Sequence, residues 1–377
     1  MPMFEPLVQP GPALSEPELA RYSRQLTLPG VGPLGQRRIR NAKVLVIGAG
    51  GLGSPIINYL VAAGVGRLTV IDDDRVESSN LQRQVIHREQ DIGQFKAESA
   101  KAAALRLDAS ARFTALTHKL TVDNALSLFA EHDLVLDGTD NFATRYLSND
   151  AAELSGTPLI WGTIFQFSGQ VSVFAPQRGP MLRDLFPEIP EADSVPSCAE
   201  GGVFGTLCAV VGATMAGEAL KLICGIGEPL IGRFWRYDAL QTTTDVLTFQ
   251  ADPQREPVRS LDCETAQCTV STPVPELSVD ELEESMTVLD IREAWERDLG
   301  SIALSIHLPM DELLERGWAG LTELGLTGDL VLACKSGARS ARAVQALLAQ
   351  RPEAPLRSLR GGTQAWFTQC AGRELIY

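Results

Sequence analysis

The sequence predicts an α/β protein: a doubly wound mixed sheet followed by a second, smaller α/β domain. Three observations carry that expectation. First, residues 44–47 are a β-branched apolar run, Gly48, Gly50 and Gly53 follow at G-x-G-x-x-G spacing, and a helix is expected over 52–63. A buried parallel strand, a glycine turn and a helix N-terminus form the nucleotide-binding corner of such sheets. Second, apolar strands recur at 67–72 and 133–141, each closing on acidic residues. Open α/β sheets place ligands at those strand ends. Third, beyond a proline-rich stretch at 250–276, strand and helix patterns alternate again.

Length and charge bound the function. A chain of 377 residues can bury two cores. With 45% hydrophobic and 21% charged residues it reads as globular. A net charge of −14 disfavours nucleic acid and anionic membrane as partners, and it suits a protein of complementary charge. Seven cysteines without a framework spacing point to reduced thiols and a cytoplasmic location. No signal peptide is expected, because the first residues lack a basic start and an apolar core. The longest apolar stretch, 207–223, carries Glu218 and Lys221 and reads as a buried helix.

Taken in order, residues 1–15 are proline-rich and expected to be disordered. Ser15 then caps a helix with Pro17 in its first turn. That helix carries Arg21, Tyr22, Ser23, Arg24 and Gln25, whose two arginines alone would be a solvated face. The second strand ends at Asp72, 19 positions after Gly53, where a carboxylate takes ribose hydroxyls. A capping aspartate is the plainer alternative. Asp74, the segment Ser79, Asn80, Leu81, Gln82, Arg83, and then Lys96 follow. Arg83 and Lys96 could neutralise a triphosphate, for which a nicotinamide dehydrogenase has no need. Asp140, followed by Asn141, could hold Mg²⁺, a cation that takes carboxylate and phosphate oxygens. ATP with magnesium and an Arg/Lys pair implies nucleotidyl or phosphoryl transfer.

Six motifs keep order and spacing over roughly 15–250: Arg-Tyr-Ser-Arg-Gln (21–25), Gly-Ala-Gly-Gly-Leu-Gly (48–53), Ser-Asn-Leu-Gln-Arg-Gln (79–84), Gly-Gln-Phe-Lys (93–96), Asp-Gly-Thr-Asp-Asn (137–141) and Cys-Ala-Glu-Gly-Gly-Val (198–203). Together they resemble the MoeB/ThiF group of ubiquitin-activating-like adenylyltransferases. The resemblance implies a Rossmann-like, ThiF-type sheet. It implies adenylation of the C-terminal glycine of a small ubiquitin-like sulfur carrier protein ending in Gly-Gly, with release of pyrophosphate. It places Gly48, Gly50, Gly51, Asp72, Asp74, Ser79, Asn80, Leu81, Gln82, Arg83, Lys96, Asp140 and Asn141 at the ATP site, with Asp140 on magnesium. It also implies that Arg24 reaches into the partner's site across a homodimer. The chemistry suits these residues: a carboxylate must meet a phosphate, and Arg83, Lys96, Arg24 and the metal lower that electrostatic barrier. No base is needed, because a carboxylate is ionised at neutral pH.

Alternating runs at 169–174, 232–237 and 243–249 read as antiparallel strands on the side where the family binds its protein substrate. A loop at 177–205 carries Cys198 ahead of Gly201 and Gly202. The resemblance assigns that cysteine an attack on the activated or acyl-disulfide carrier; a buried bystander is the alternative. Cys208 and Cys224 are expected in the core. The family holds zinc with two C-x-x-C pairs. Here Met181 and Asp184 stand at the first pair, and Cys263 and Cys268 at the second have four residues between them. Zinc is therefore expected to be absent, with Met181, Leu182, Leu185 and Phe186 holding the sheet edge by apolar packing.

Pro257, Pro273 and Pro275 suggest an extended spacer over 251–276, between a domain at 1–250 and one at 277–377. In the second domain, strands are expected at 287–290 and 329–333, and helices at 292–297 and 340–349. Its chemistry centres on Cys334, Lys335, Ser336, Gly337, Ala338, Arg339 and Ser340. A strand delivers the cysteine and a helix begins at once, so loop N–H groups, the helix N-terminus, Lys335 and Arg339 should favour a thiolate and hold an anion. Four residues separate Cys334 from Arg339, one fewer than in cysteine phosphatases, and the tighter loop suits a terminal persulfide sulfur. With Leu-Asp-Ile-Arg-Glu (289–293) and Leu-Arg-Gly-Gly-x-x-Ala-Trp (359–366), the domain resembles a rhodanese. Ser301 replaces that family's usual histidine, which reads as structural drift.

Joined, the domains imply adenylation, attack by a Cys334 persulfide, an acyl disulfide and a thiocarboxylate. A flexible connection would raise their effective concentration. Sulfur would come from a donor such as a cysteine desulfurase or thiosulfate. Two other readings stand beside this one: a conjugation activator using a Cys198 thioester without sulfur, and a non-catalytic nucleotide-binding scaffold. The intact Cys334 loop argues against the first. Arg24, Arg83, Lys96 and Asp140 together argue against the second. Molybdopterin, thiamine, cysteine and tRNA-thiolation carriers all fit the sequence.

Overall fold

The computed structural model describes residues 5–187, 189, 201–261, 274–283, 285–326 and 328–372. It divides into two units, Met1–Thr269 and Val270–Tyr377.

The first unit opens on α1 (Glu16–Arg21), where the Ser15 N–H and hydroxyl both donate to Glu18 at 2.7 and 2.6 Å. The single helix expected here breaks at buried Tyr22 and resumes as α2 (Ser23–Leu26), with α3 (Gly32–Asn41) beyond. Residues 5–15 correct the expectation of disorder. Val8 is in the core, the Leu7 N–H donates to the Leu222 carbonyl at 2.9 Å, and the Arg37 and Asn41 side chains donate to the Gly11 and Gln9 carbonyls. Proline fixes φ and lacks a donor, so an extended segment rich in it loses little entropy on docking.

β1 (Lys43–Ile47) turns through the glycines into α4 (Gly53–Ala63). A Cβ on Gly53 would stand 2.1 Å from the Gly48 carbonyl oxygen, so this corner closes only around glycine. β2 (Arg67–Ile71), α5 (Lys96–Leu107), β3 (Phe113–Leu116), α6 (Val122–Ala130), β4 (Leu134–Asp137) and α7 (Phe142–Ser155) complete the wound half. β5 (Leu159–Phe165), β6 (Ser168–Phe174), α8 (Leu182–Leu185), α9 (Gly205–Cys224), β7 (Arg233–Asp238) and β8 (Thr243–Thr248) follow. The sheet order is β3-β2-β1-β4-β5-β6-β7-β8. It is parallel up to β5 and antiparallel from β5 to β8, the mixed sheet the patterns predict.

Both faces of β1 are covered. Val44 and Val46 pack with α4 and α9 residues, and Leu45 and Ile47 pack with α6 and α7 residues. Each such side chain stabilises the layers by roughly 1.5–3 kcal/mol. α9 is long and apolar enough to cross a membrane, but Leu207, Val211, Met215, Ala219 and Leu222 lie in the core with α4. Its buried Glu218 accepts the Leu230 N–H at 2.9 Å and pairs with Lys221.

The first unit does not end at 250. Arg255, in the stretch expected to be a spacer, pairs with Asp184 at 2.8 Å and Glu153 at 3.1 Å. The Val258 N–H donates to Glu153 at 3.1 Å, and Leu261 packs against the α6–α7 core. Buried carboxylates recruit the nearest cation, which docks the segment despite its prolines.

The second unit comprises β9 (Glu276–Leu277), β10 (Thr287–Asp290), α10 (Ala294–Asp298), β11 (Ile306–His307), α11 (Met310–Glu323), β12 (Leu330–Ala333), α12 (Ala338–Gln350), β13 (Leu356–Leu359) and α13 (Gly362–Cys370). Its parallel sheet has the order β11-β10-β12-β13-β9. Strand alternation feeds two cores: Leu289 and Leu332 meet Val344 and Leu347 on one face, and Val288 and Val331 meet Leu359 on the other.

Candidate functional site

In the first unit, a cleft of about 550 Å³ opens at the carboxyl ends of β1, β2 and β4. Gly48, Gly50 and Gly51 form one wall. Asp72 and Asp74 form the next, and Arg83, Lys96, Asp140 and Asn141 complete the rim. The Asp72 carboxylate is fixed at both oxygens: the Ala49 N–H donates to it at 2.7 Å and the Asp74 N–H at 2.9 Å. Burial pushes the Asp72 carboxyl above the ordinary aspartate value, against the pull of the Ala49 N–H and Lys96. Lys96 opens α5, and its nearly buried ammonium lies 2.8 Å from Asp74. The cation expected to serve phosphate is thus shared with a carboxylate. Asn141 accepts the Thr144 N–H at 2.8 Å and caps α7, whose N-terminus then bounds the cleft with positive potential.

Four expected residues are not on the cleft wall. The chain coils through a helical turn at Ser78–Asn80, which brings Arg83 and Gln84 to the cleft but not Ser79, Asn80, Leu81 or Gln82. Asn80 is buried, and its side-chain oxygen accepts the Glu77 N–H at 3.2 Å, a capping role. Arg24 is exposed on α2 and does not line the cleft of its own chain. Cys198, Cys263 and Cys268 lie outside the described residues.

Sequence reasoning missed three residues. Arg145 is buried on the cleft wall, donates to the Thr139 carbonyl at 3.0 and 3.3 Å, and lies 5.4 Å from the Phe142 ring centre. Its position one turn into the helix after Asp140 is the signal that could have found it. Gln84 borders the cleft, and His87 is buried behind the glycine turn.

Among the described residues no group of three His, Cys, Asp or Glu could hold a metal by itself. The exposed Asp140 carboxylate on the cleft rim offers the hard oxygen that magnesium takes alongside phosphate and water. Met181 and Asp184 do not suit zinc. One Asp184 oxygen takes Arg255 at 2.8 Å and the Asp252 N–H at 3.1 Å, and the other takes the Met181 N–H at 2.6 Å. The expected apolar clasp is present in part: Met181 and Leu182 are in the core with α6 and α7, and Phe186, though exposed, sets its ring 6.2 Å from that of Trp161. Ion pairs to Arg255 tie this edge as well.

In the second unit Cys334 follows β12 and is 1% exposed. Its Sγ lies 3.2 Å from the Gly337 N–H, 3.4 Å from the Ser340 N–H and 3.5 Å from the Ser340 hydroxyl. Gly337 caps α12 at φ +101°, a conformation that disfavours side chains. The Thr363 and Gln364 N–H groups at the start of α13 donate to the Cys334 and Lys335 carbonyls at 2.7 and 3.0 Å, fixing the loop from behind. Ser336 and Ala338 are on its exposed rim. Arg339, expected to serve an anion in the loop, makes a two-pronged pair with Glu296 at 2.6 and 2.7 Å. Glu296 is buried, and a buried carboxylate needs a cation. The direct contacts to the Cys334 sulfur come from backbone N–H groups at the helix N-terminus and from the Ser340 hydroxyl.

A glycine-cornered cleft in one unit and a cysteine ringed by N–H donors in the next define a class: a nucleotide-binding α/β domain in series with a sulfur-handling one. Residues 22–265 match the model of the ThiF family, and residues 277–369 that of the Rhodanese-like domain. The chain belongs to the ThiF family and carries a rhodanese-like domain behind it. A "Probable adenylyltransferase/sulfurtransferase MoeZ" of Mycobacterium tuberculosis is 44% identical over 99% of this chain and 98% of the relative. The "Sulfur carrier protein adenylyltransferase" of Thermus thermophilus is 52% identical over 63% of this chain and 89% of the relative. Among solved structures, E. coli MccB with ATP superposes with a TM-score of 0.56 at 21% identity, covering 63% of this chain and 74% of that one, a likeness of fold.

Proposed function

We propose that this chain adenylates the C-terminal glycine of a ubiquitin-like sulfur carrier protein and then transfers persulfide sulfur to it. The carrying observation is that one chain holds both a cleft with Asp72, Arg83, Lys96 and Asp140 and a donor-ringed Cys334. Relatives named as adenylyltransferases and sulfurtransferases support the pairing.

In the first step a carrier carboxylate oxygen attacks the α-phosphorus of ATP, the bond to pyrophosphate breaks, and an acyl adenylate remains. Asp72 takes the ribose hydroxyls. Arg83 and Lys96 face the phosphates, where Lys96 exchanges Asp74 for phosphate oxygen. Asp140 would hold magnesium, which offsets charge on the departing pyrophosphate. Arg24 acts from the second subunit of a homodimer, in keeping with its place outside its own cleft. In the second step the terminal sulfur of a Cys334 persulfide attacks the acyl carbon and AMP leaves. A thiol, for which Cys198 is the candidate, then attacks the Cys334 sulfur of the acyl disulfide. The carrier leaves as a thiocarboxylate, and the disulfide left between that thiol and Cys334 is reduced by two equivalents of an external thiol. A cysteine desulfurase or thiosulfate would reload Cys334. The enzyme works without structural zinc, in the reducing cytosol, where the Cys334 thiol survives.

The test uses ATP, magnesium, a carrier ending in Gly-Gly and a persulfide donor. Wild type should support ATP–pyrophosphate exchange and yield carrier thiocarboxylate by mass spectrometry. Cys334→Ser should keep the exchange and lose the thiocarboxylate. A normal thiocarboxylate yield from Cys334→Ser overturns the assignment.

A further inference from the structure

One oxygen of Asp72 is held by Ala49, whose N–H donates to it at 2.7 Å. The same residue is held from its other side, at its carbonyl. His87, 6% exposed, places Nε2 at 2.9 Å from the Ala49 carbonyl oxygen. A carbonyl oxygen only accepts, so Nε2 carries the proton. On the ring's far side Nδ1 lies 2.8 Å from the Ser99 hydroxyl, on α5. Ser99 in turn lies 3.0 Å from Asp91, which also accepts the Arg88 N–H at 3.0 Å. One imidazole therefore ties together the glycine turn, the segment that carries Arg83, and the helix that Lys96 opens. Burial pushes its ring below the ordinary histidine value, and Lys96 adds to that, against the pull of the Ala49 carbonyl and Asp91.

A glycine-rich turn has little side-chain packing to hold its peptide planes. The Ala49 N–H lies in the peptide plane shared with Gly48 and the Ala49 carbonyl in the plane shared with Gly50, so the two planes meet at the Ala49 Cα. Rotation about that Cα would move the N–H off Asp72 and release one carboxylate oxygen, and a donor fixed on the carbonyl restrains it by holding the residue from its other side.

We propose that His87 is a positioning residue of the nucleotide site: by anchoring the Ala49 carbonyl it aims the Asp72 carboxylate at the ribose hydroxyls. The inference rests on the ribose role given to Asp72 above. It goes beyond that role in making the ribose preference depend on a residue that touches no ligand.

The test compares dissociation constants of ATP and 2′,3′-dideoxy-ATP on the full-length protein by calorimetry. Wild type should prefer ATP. His87→Leu should reduce that preference about tenfold, the worth of a hydrogen bond to a charged group, with dideoxy-ATP binding moving less than about twofold. His87→Gln, whose amide N–H can reach the Ala49 carbonyl, should restore most of the preference. Ser99→Ala, which leaves the ring but frees its far side, should lower the preference in the same sense, and it carries the test if His87→Leu does not fold. Asp72→Asn separates the two claims. If it loses the preference while His87→Leu and Ser99→Ala keep it, the inference fails and the ribose role stands. If Asp72→Asn keeps the preference, the ribose role fails and the inference with it. Equal weakening of both nucleotides by His87→Leu, unrepaired by His87→Gln, overturns the inference as well.

Discussion

Single residues decide charge balance in the cleft and backbone shape in the cradle. Asp140 is exposed at the cleft rim, so its carboxylate costs little to desolvate and is available to a metal. Asp140→Ala should lower the rate of ATP–pyrophosphate exchange by about 10² or more, since metal-assisted charge stabilisation matters most in the transition state. Exchange at the wild-type rate would remove Asp140 from the mechanism. Gly337 sits at φ +101° with its would-be Cβ 3.2 Å from the Gly361 N. Gly337→Ala should destabilise the second unit by about 1–3 kcal/mol and turn one N–H away from Cys334. Slower alkylation or persulfidation of Cys334, at unchanged ATP–pyrophosphate exchange, is the expected reading. Spacing picks out Asp72, and charge and position pick out Arg83, Lys96 and Asp140, all four of which line the cleft. Only the family resemblance places Asn80 and its neighbours there; they lie off the wall because a turn only three residues long, Ser78–Asn80, rotates each side chain to a different side.

At the scale of elements, Arg255 clasps the segment after β8 to α7 and α8. Its partners are close to buried, with Asp184 and Glu153 side chains 2% and 14% exposed. Arg255→Ala should therefore cost roughly 2–4 kcal/mol, because it leaves carboxylates without a counter-charge. Asp184 is penalised by burial, but the Met181 and Asp252 N–H groups and Arg255 hold its carboxyl below the ordinary value. A depressed carboxyl contributes stability that is present above its unfolded pKa and lost as pH falls through the folded one. Wild type should thus lose Tm below about pH 4, and Arg255→Ala should show a shallower acid limb. Equal acid limbs would mean that Asp184 does not need Arg255. Elemental analysis tests the same element from another side. With an arginine on the Asp184 carboxylate, protein purified without chelator should carry far less than one zinc per chain, and dialysis-resistant zinc near one per chain would overturn that.

At the scale of the whole molecule, two units with separate cores predict separable activities. A chain ending at residue 269 should keep its Tm and its exchange activity and lose sulfur transfer. A chain ending at 250 loses Arg255 and Leu261, and its first unit should melt lower by about 5 °C or more. Equal melts for the two truncations would return the boundary to the point where the prolines begin.

What the sequence determined by itself is local. The strand, glycines and helix of the nucleotide corner, the acid at the end of β2, the change from parallel to antiparallel strands and the Cys334 loop are each set within a few consecutive residues. There backbone sterics and apolar period act directly. Tertiary structure alone decided the partners of charges and of the buried ring. Arg339 finds Glu296 across 43 positions, Arg255 finds Glu153 across 102, and His87 finds Ala49 across 38. No period or spacing records such pairs. A group taken out of water must be satisfied by whichever opposite charge or carbonyl the packed layers bring within about 3 Å, and only the assembled fold selects it.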